Sequence, residues 1–278
     1  MSANPNSMKK FLDKLDPVLV RGAGDVATGV AHRLFHAGFK VVCTEIEKPL
    51  TVRRAVAFSE AVYEGRHTVE GVEARRRAID EVHKAFADGV VPVVVDPDTK
   101  ILEAMSFLAL VDARMTKRPV SPEDAPVVIG LGPGFTAGEN CHAWVETLRG
   151  HNLGRVGYSG CAIADTGVPG ERGGFTDERV LRAPSDGVFE AVAEIGDRVE
   201  AGVTVARVGD SPVEARIGGY VRGMLHGGLK VTKGLKVGDI DAAAEHAHCF
   251  TISDRANAIA GGVLEAVLRL GVVKTGGT

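Results

Sequence analysis

The chain has 278 residues, 45% hydrophobic and 25% charged, with a formal net charge of -3. That balance is ordinary for a globular protein and argues against nucleic acid or an anionic membrane surface as the main partner. No apolar run reaches bilayer length, and the opening "MSANPNSMKKFLDKLD" lacks the apolar core of a signal peptide. The four cysteines, Cys43, Cys141, Cys161 and Cys249, form no C-x-x-C pair, so a disulfide frame or zinc ribbon is not expected and a reduced, cytoplasmic protein is.

After a tail over residues 1–16, residues 17–180 read as a Rossmann-like α/β domain built on a parallel sheet. In "VLVRGAGDVATGVAHRLFHAGFKVVCTEIEKP", Val18–Arg21 is an expected strand and Asp25–His36 an expected helix, with Val26, Val30 and Leu34 on one side. Gly38 ends the helix and Phe39–Cys43 is the next expected strand. Gly22, Gly24 and Ala27 make a G-x-G-x-x-A turn, and Glu45 follows at the distance of a ribose-binding acid. Small residues there let a pyrophosphate approach the backbone, and the helix N-terminus supplies unsatisfied N–H groups and partial positive charge. Gly22, Ala23, Gly24, Asp25, Ala27, Thr28 and Glu45 are therefore the candidate nucleotide contacts.

Arg53 and Arg54 are candidates for an anionic group in the same cleft. Residues 75–87, "RRRAIDEVHKAFA", read as a solvated helix carrying Arg75–Arg77 on its wet face, followed by a buried strand in "VVPVVVDP". "FLALVDAR" and "PVVIGLGPGF" continue the short apolar strands, and "GLGPGFTAG" is expected as a wall of the cleft. The absence of G-x-x-x-x-G-K-[ST] leaves Walker-type hydrolysis unsupported. "CHAWVETLRGHNLG" collects polar side chains, among which Glu146 and His151 are candidates for substrate or partner contact. A central strand there would put His142, Trp144 and Glu146 on one face.

From residue 181 to 242 glycine recurs with valine. "APSDGVFEAVAEIGDRVEAGVTVARV" aligns without gaps on "ARIGGYVRGMLHGGLKVTKGLKVGDI", 32 residues further on, with Gly187 on Gly219, Gly196 on Gly228 and Gly202 on Gly234. Two such halves bury their apolar faces only against each other. The expected result is a small lipoyl- or biotinyl-like domain, a barrel-sandwich hybrid. The stretch joining the halves, "VGDSPVEA", has no lysine, so covalent biotin or lipoyl is not expected. Residues 243–278 are expected to return as a strand and a C-terminal helix packed on the α/β domain. "HAHCF" reads as a packing cysteine flanked by exposed histidines, and no metal site is expected.

The motifs "RGAGDVATGVAHRLFHAGFKVVCTEIEKP", "RRAVAFSEAVYEG", "VIGLGPGF" and "ISDRANAIAGGVLEAVL" together resemble the YqeB-type accessory proteins of selenium-dependent molybdenum hydroxylase systems. The resemblance covers nearly everything after residue 17, apart from a looser "LVDARMTKRP". It implies a maturation factor that handles selenium or the molybdenum cofactor, with a molybdenum hydroxylase client or its maturation proteins as partners. The residues themselves add a small nucleotide ligand, NAD-like or another. The alternatives are an NAD(P)-linked oxidoreductase acting on a small molecule and a non-enzymatic docking protein. Selenium delivery through a thiolate makes Cys141, Cys161 and Cys249 candidates, and no catalytic residue is assigned.

Overall fold

Val18–Arg21 is buried along its whole length, as a strand covered on both faces must be. In the computed structural model, which describes residues 10–115, 121–165, 167, 170–171 and 173–272, it is β1 of a nine-stranded sheet. Residues 1–9 of the expected tail and 116–119 of "LVDARMTKRP" lie outside the described residues. The other strands are β2 (Val41–Glu45), β3 (Arg66–Val69), β4 (Val72–Arg76), β5 (Val91–Val95), β6 (Ala109–Asp112), β7 (Val128–Leu131), β8 (Ala143–Val145) and β9 (Val156–Gly157). Their order is β3-β4-β5-β2-β1-β6-β7-β8-β9, with parallel pairing throughout except for the antiparallel edges β3 and β9.

The helices are α1 (Asp25–His36), α2 (Ala61–Glu64), α3 (Val82–Ala87), α4 (Ile101–Ala104) and α5 (Asp254–Val267). Side-chain alternation decides which strand residues meet which helix. Val18 and Val20 share a core with Val30 and Leu34 of α1 and with Ile259 and Val263 of α5. Leu19, Val42, Val94 and Leu110 point to the opposite core, closed by Val82 of α3 and Ile101 of α4. The close crossing of α1 and α5 depends on Gly29, where an added Cβ would stand 2.8 Å from the Ala256 Cβ. Ser253 caps α5 by accepting from the Ala256 N–H at 3.1 Å.

Two expectations are corrected. β2 begins at Val41 rather than Phe39, because the Phe39 N–H still donates to Leu34 O in the turn that closes α1 around Gly38. The helix expected over 75–87 is only Val82–Ala87, preceded by a 3₁₀ turn at Ile79–Glu81. Arg75 and Arg76 instead end β4, whose pairing with β5 sets Arg76 opposite Val93. That long-range pairing overrides the local pattern of charge. Arg75 then pairs with Glu73 at 2.6 Å, and Arg76 donates to Val62 O at 2.9 Å.

The repeated segment forms β10 (Val180–Arg182), β11 (Gly187–Ala191), β12 (Arg198–Val199), β13 (Thr204–Val208), β14 (Ser211–Glu214), β15 (Gly219–Met224), β16 (Lys230–Val231) and β17 (Lys236–Asp241). They make two antiparallel sheets, ordered β10-β17-β15-β12 and β14-β13-β11-β16. Moving each strand by the 32-residue repeat converts one sheet into the other, so the sequence repeat is also a spatial one. Phe189, Val205, Val221, Val237 and Ile240 fill the shared core. β13 and β14 meet in a tight hairpin, Val208 opposite Ser211, with Gly209 at φ +56°.

The two parts of the chain meet where the Met224 N–H donates to Val52 O at 2.8 Å, and where Tyr63 stacks on His226 at 4.2 Å. Gly223 is required at that contact, since a Cβ would lie 2.7 Å from the Val52 side chain. The expected strand after residue 243 does not form among the described residues; a 3₁₀ turn at His246–Cys249 leads into α5. The architecture is mixed α/β: a large, mostly parallel sheet, two small antiparallel sheets and a C-terminal helix. No helix among the described residues is long and apolar enough to cross a membrane.

Candidate functional site

In an open parallel sheet, the chain on either side of the strand where the order reverses leaves in opposite directions, and a crevice opens at the carboxyl ends. Here β1 is that strand, with β2 on one side and β6 on the other. A cleft of about 960 Å³ lies there, lined by Gly22, Gly24 and Asp25–Ala27 of the glycine turn and first helical turn, and by Glu45 at the end of β2. β15 and β17 also line it, through Arg222, Lys236 and Asp239.

Gly22 adopts φ +101°, which a side chain would strain, and its N–H donates to Thr44 O at 2.8 Å. Gly24 is the N-cap of α1 and has an ordinary φ of -65°. Among the described residues no side chain caps this helix, and the first backbone N–H bonded within it belongs to Thr28. The N–H groups of Asp25, Val26 and Ala27 therefore face a cleft with the helix dipole behind them.

Glu45 lines the cleft, and its carboxylate folds back onto the glycine turn. Oε2 accepts from the Ala23 N–H at 2.9 Å and Oε1 from the Ile46 N–H at 2.8 Å. Burial pushes its pKa above the usual carboxylate range, against the pull of those two donors. The folded state thus holds a proton more readily than the unfolded chain. Glu45's contribution to stability is fullest at low pH and declines as pH rises from the unfolded value through the raised native one. Urea unfolding of wild type and Glu45→Gln across that range should show a downward slope in the wild type that the variant lacks; parallel curves would contradict it.

Thr28 and Ala23 do not reach the cleft. Thr28 is buried, donates its hydroxyl to Ala23 O at 3.1 Å and accepts from the Phe58 N–H at 2.8 Å. It clamps the turn rather than touching a ligand, which corrects its expected role. Ala23 is buried too, and its N–H is taken by Glu45.

Arg53 does line the cleft, pairing with Asp25 at 3.8 Å and donating to His248 O and Thr251 O at 3.1 and 3.2 Å. Arg54 turns away to Glu60 at 3.3 Å. Glu146 is buried at the cleft, where Oε1 accepts from the Thr147 and Leu148 N–H groups, both at 2.7 Å, and Oε2 from the Ile163 N–H at 2.9 Å. His151 is exposed and outside the lining. His142 accepts from the Val128 N–H at 2.9 Å at the other end of β8, so His142 and Glu146 form no acid–base pair. Leu131 and Pro133 of the second glycine loop stand in the wall, as expected.

Sequence reading missed much of the charged lining. Arg21, at the end of β1, and Arg114 share the buried carboxylate of Asp112, at 3.7 and 2.6 Å. Burial and the neighbouring Arg114 hold Arg21 below the usual arginine range, against the opposing pull of Asp112. Asp96, at the end of β5, accepts from the Lys100 and Ile101 N–H groups, both at 2.9 Å. Arg255, from the first turn of α5, donates through Nε to Thr147 O at 2.9 Å, and burial lowers its pKa. The strand-end position of Arg21, directly before the glycine turn, was the one sequence signal that marked any of them.

Of the thiols, Cys43, Cys141 and Cys249 are buried and Cys161 is exposed. Burial raises the Cys43 and Cys249 thiols and pushes Cys141 up to about 11. Iodoacetamide applied to the native protein at pH 8 should alkylate Cys161 alone, read by peptide mass spectrometry; equal labelling of Cys141 or Cys249 would contradict the burial. Among the described residues, no group of three or more His, Cys, Asp or Glu is arranged to hold a metal ion.

Over 256 residues, 91% of its length, the chain is 49% identical to the uncharacterized protein YqeB of Escherichia coli (strain K12). The YqeB-type resemblance holds. The chain spans 47% of the length of that YqeB relative. No protein-family model matches. Among solved structures, an aspartoacylase family protein of Mesorhizobium loti aligns over 83% of this chain and 87% of its own, at 12% identity and a TM-score of 0.27. The product-bound ectoine utilization protein EutE (DoeB) of Ruegeria pomeroyi covers 81% and 85%, at 14% identity and a TM-score of 0.25. Likeness at that level carries no argument about this chain.

Proposed function

We propose that the chain binds a nucleotide-type ligand, its phosphate held at the N-terminus of α1, and that it acts as an accessory protein in the maturation of selenium-dependent molybdenum hydroxylases. The observation that carries the ligand reading is the uncapped α1 N-terminus opening into a cleft at the sheet's switch point. A phosphate there meets the N–H groups of Asp25–Ala27, the positive end of the helix and the guanidinium groups of Arg53 and Arg255. The strand order around β1 supports a Rossmann-like description of the first part, and the cleft volume is within the range of small-ligand sites.

A dinucleotide fits this cradle with one adjustment. Glu45 already accepts from Ala23, so the ligand's phosphates rest on the helix turn rather than on the Ala23 N–H. The twofold repeat of the small sheets supports a lipoyl-like fold for 181–242, used as a wall of the site rather than as a carrier. The maturation role and its partners rest on the YqeB resemblance. Calorimetric titration of a panel of mono- and dinucleotides, NAD and NADP included, tests the ligand half. Absence of binding across the panel would sink it. Co-purification of a tagged chain with a molybdenum hydroxylase or its maturation factors tests the other half.

A further inference from the structure

The twofold relation between the small sheets separates what that fold needs from what it carries in addition. On the sheet facing the cleft, Lys236 and Arg179 both pair with Asp239, Lys236 at 3.2 Å, and Arg222 pairs with Asp241 at 3.2 Å. The repeat places Thr204 where Lys236 stands, Arg207 for Asp239, Glu190 for Arg222, Gly209 for Asp241 and Ser211 for Arg179. The partner sheet forms the same strands in the same order with none of these ion pairs. Burying charge is costly unless every group is matched, so a fold that closes without these residues has no structural need of them.

The cluster also has a shape suited to an anion. Asp239, with a side chain 4% exposed, lies behind the two cations, whose side chains are 13% and 40% exposed for Arg179 and Lys236. Arg179 is further fixed by donating through Nη2 to Gly170 O at 3.0 Å. Among the described residues, two cations on one buried carboxylate leave a positive charge in excess, and all three side chains line the cleft. We propose that Arg179 and Lys236, set by Asp239 and flanked by Arg222, form a second anion subsite on the cleft wall that the small sheets supply. The subsite rests on the reading that α1 takes a phosphate. It deepens that reading, because the ligand is then a nucleotide with a second anionic group, phosphate or carboxylate, at its far end. The repeat unit becomes the specificity-determining wall of the site.

The test uses ¹⁵N-labelled full chain, with inorganic phosphate and, separately, acetate as probes. The Arg179 Nε–H signal reports the new subsite, and the backbone amides of Asp25–Ala27 report α1. In the wild type both sets should shift with phosphate. Lys236→Met removes the excess cation and keeps the Arg179–Asp239 pair, so it should weaken binding read at Arg179 at least tenfold without altering the Asp25–Ala27 response. Lys236→Arg should restore it. A response at Arg179 to either anion supports the subsite, and the stronger one names the group. Silence at Arg179 with both anions while Asp25–Ala27 shift, or an unchanged affinity in Lys236→Met, overturns the subsite and leaves the α1 reading standing. Response at Arg179 with silent Asp25–Ala27 amides overturns the α1 reading and, with it, the two-ended ligand.

Discussion

Asp112→Ala will lower the unfolding free energy by about 3–5 kcal/mol, the usual cost of removing one partner from a buried charge cluster. The Asp112 side chain is 3% exposed and is shared by Arg114 at 2.6 Å and Arg21 at 3.7 Å. Without it, Arg21 keeps its charge at the end of β1 with its nearest carboxylate gone, in a place where burial already disfavours the charged form. Asp112→Asn preserves shape and one acceptor, so it should lose less. Urea denaturation of the three proteins measures both changes; a loss under about 1 kcal/mol for Asp112→Ala would show that Arg21 and Arg114 are held by other groups. The effect is of interest for the site because Arg21 directly precedes the glycine turn.

Gly24→Val will weaken nucleotide binding at least a hundredfold, equivalent to about 2.8 kcal/mol, and leave the fold in place. Gly24 has a φ open to any residue, and the nearest atom to an added Cβ is the Thr51 Oγ1 at 3.8 Å. The branched side chain therefore has room in the protein and projects into the cleft at the mouth of α1. Gly22 would be a poor probe, since φ +101° strains any side chain and Ala113 stands 3.4 Å from a Cβ. Thermal unfolding of Gly24→Val should stay close to wild type while calorimetric affinity collapses. Equal affinity in both would place the ligand elsewhere.

What could be read from the sequence was local or periodic. β1, α1 and the glycine turn were legible because a strand, a cap-like glycine and a helical stripe follow one another without interruption. The 32-residue repeat was legible because glycines at Gly187 and Gly219, and at Gly202 and Gly234, hold positive φ in both halves. What escaped depends on residues far apart in sequence. Arg75 and Arg76 look helical until β5 pairs beside them. Thr28 looks like a ligand contact until Phe58, from a distant turn, occupies its hydroxyl. Arg179, Lys236 and Arg255 enter the cleft only because the small sheets dock on Val52 and α5 returns onto α1. No spacing rule reports that.

The most direct measurement is a co-crystal structure with the tightest-binding nucleotide of the panel. The account predicts a ligand phosphate within hydrogen-bond distance of the N–H groups of Asp25–Ala27, with Glu45 still accepting from Ala23. A nucleotide seated away from α1, or a cleft without ligand at saturating concentration, would contradict it.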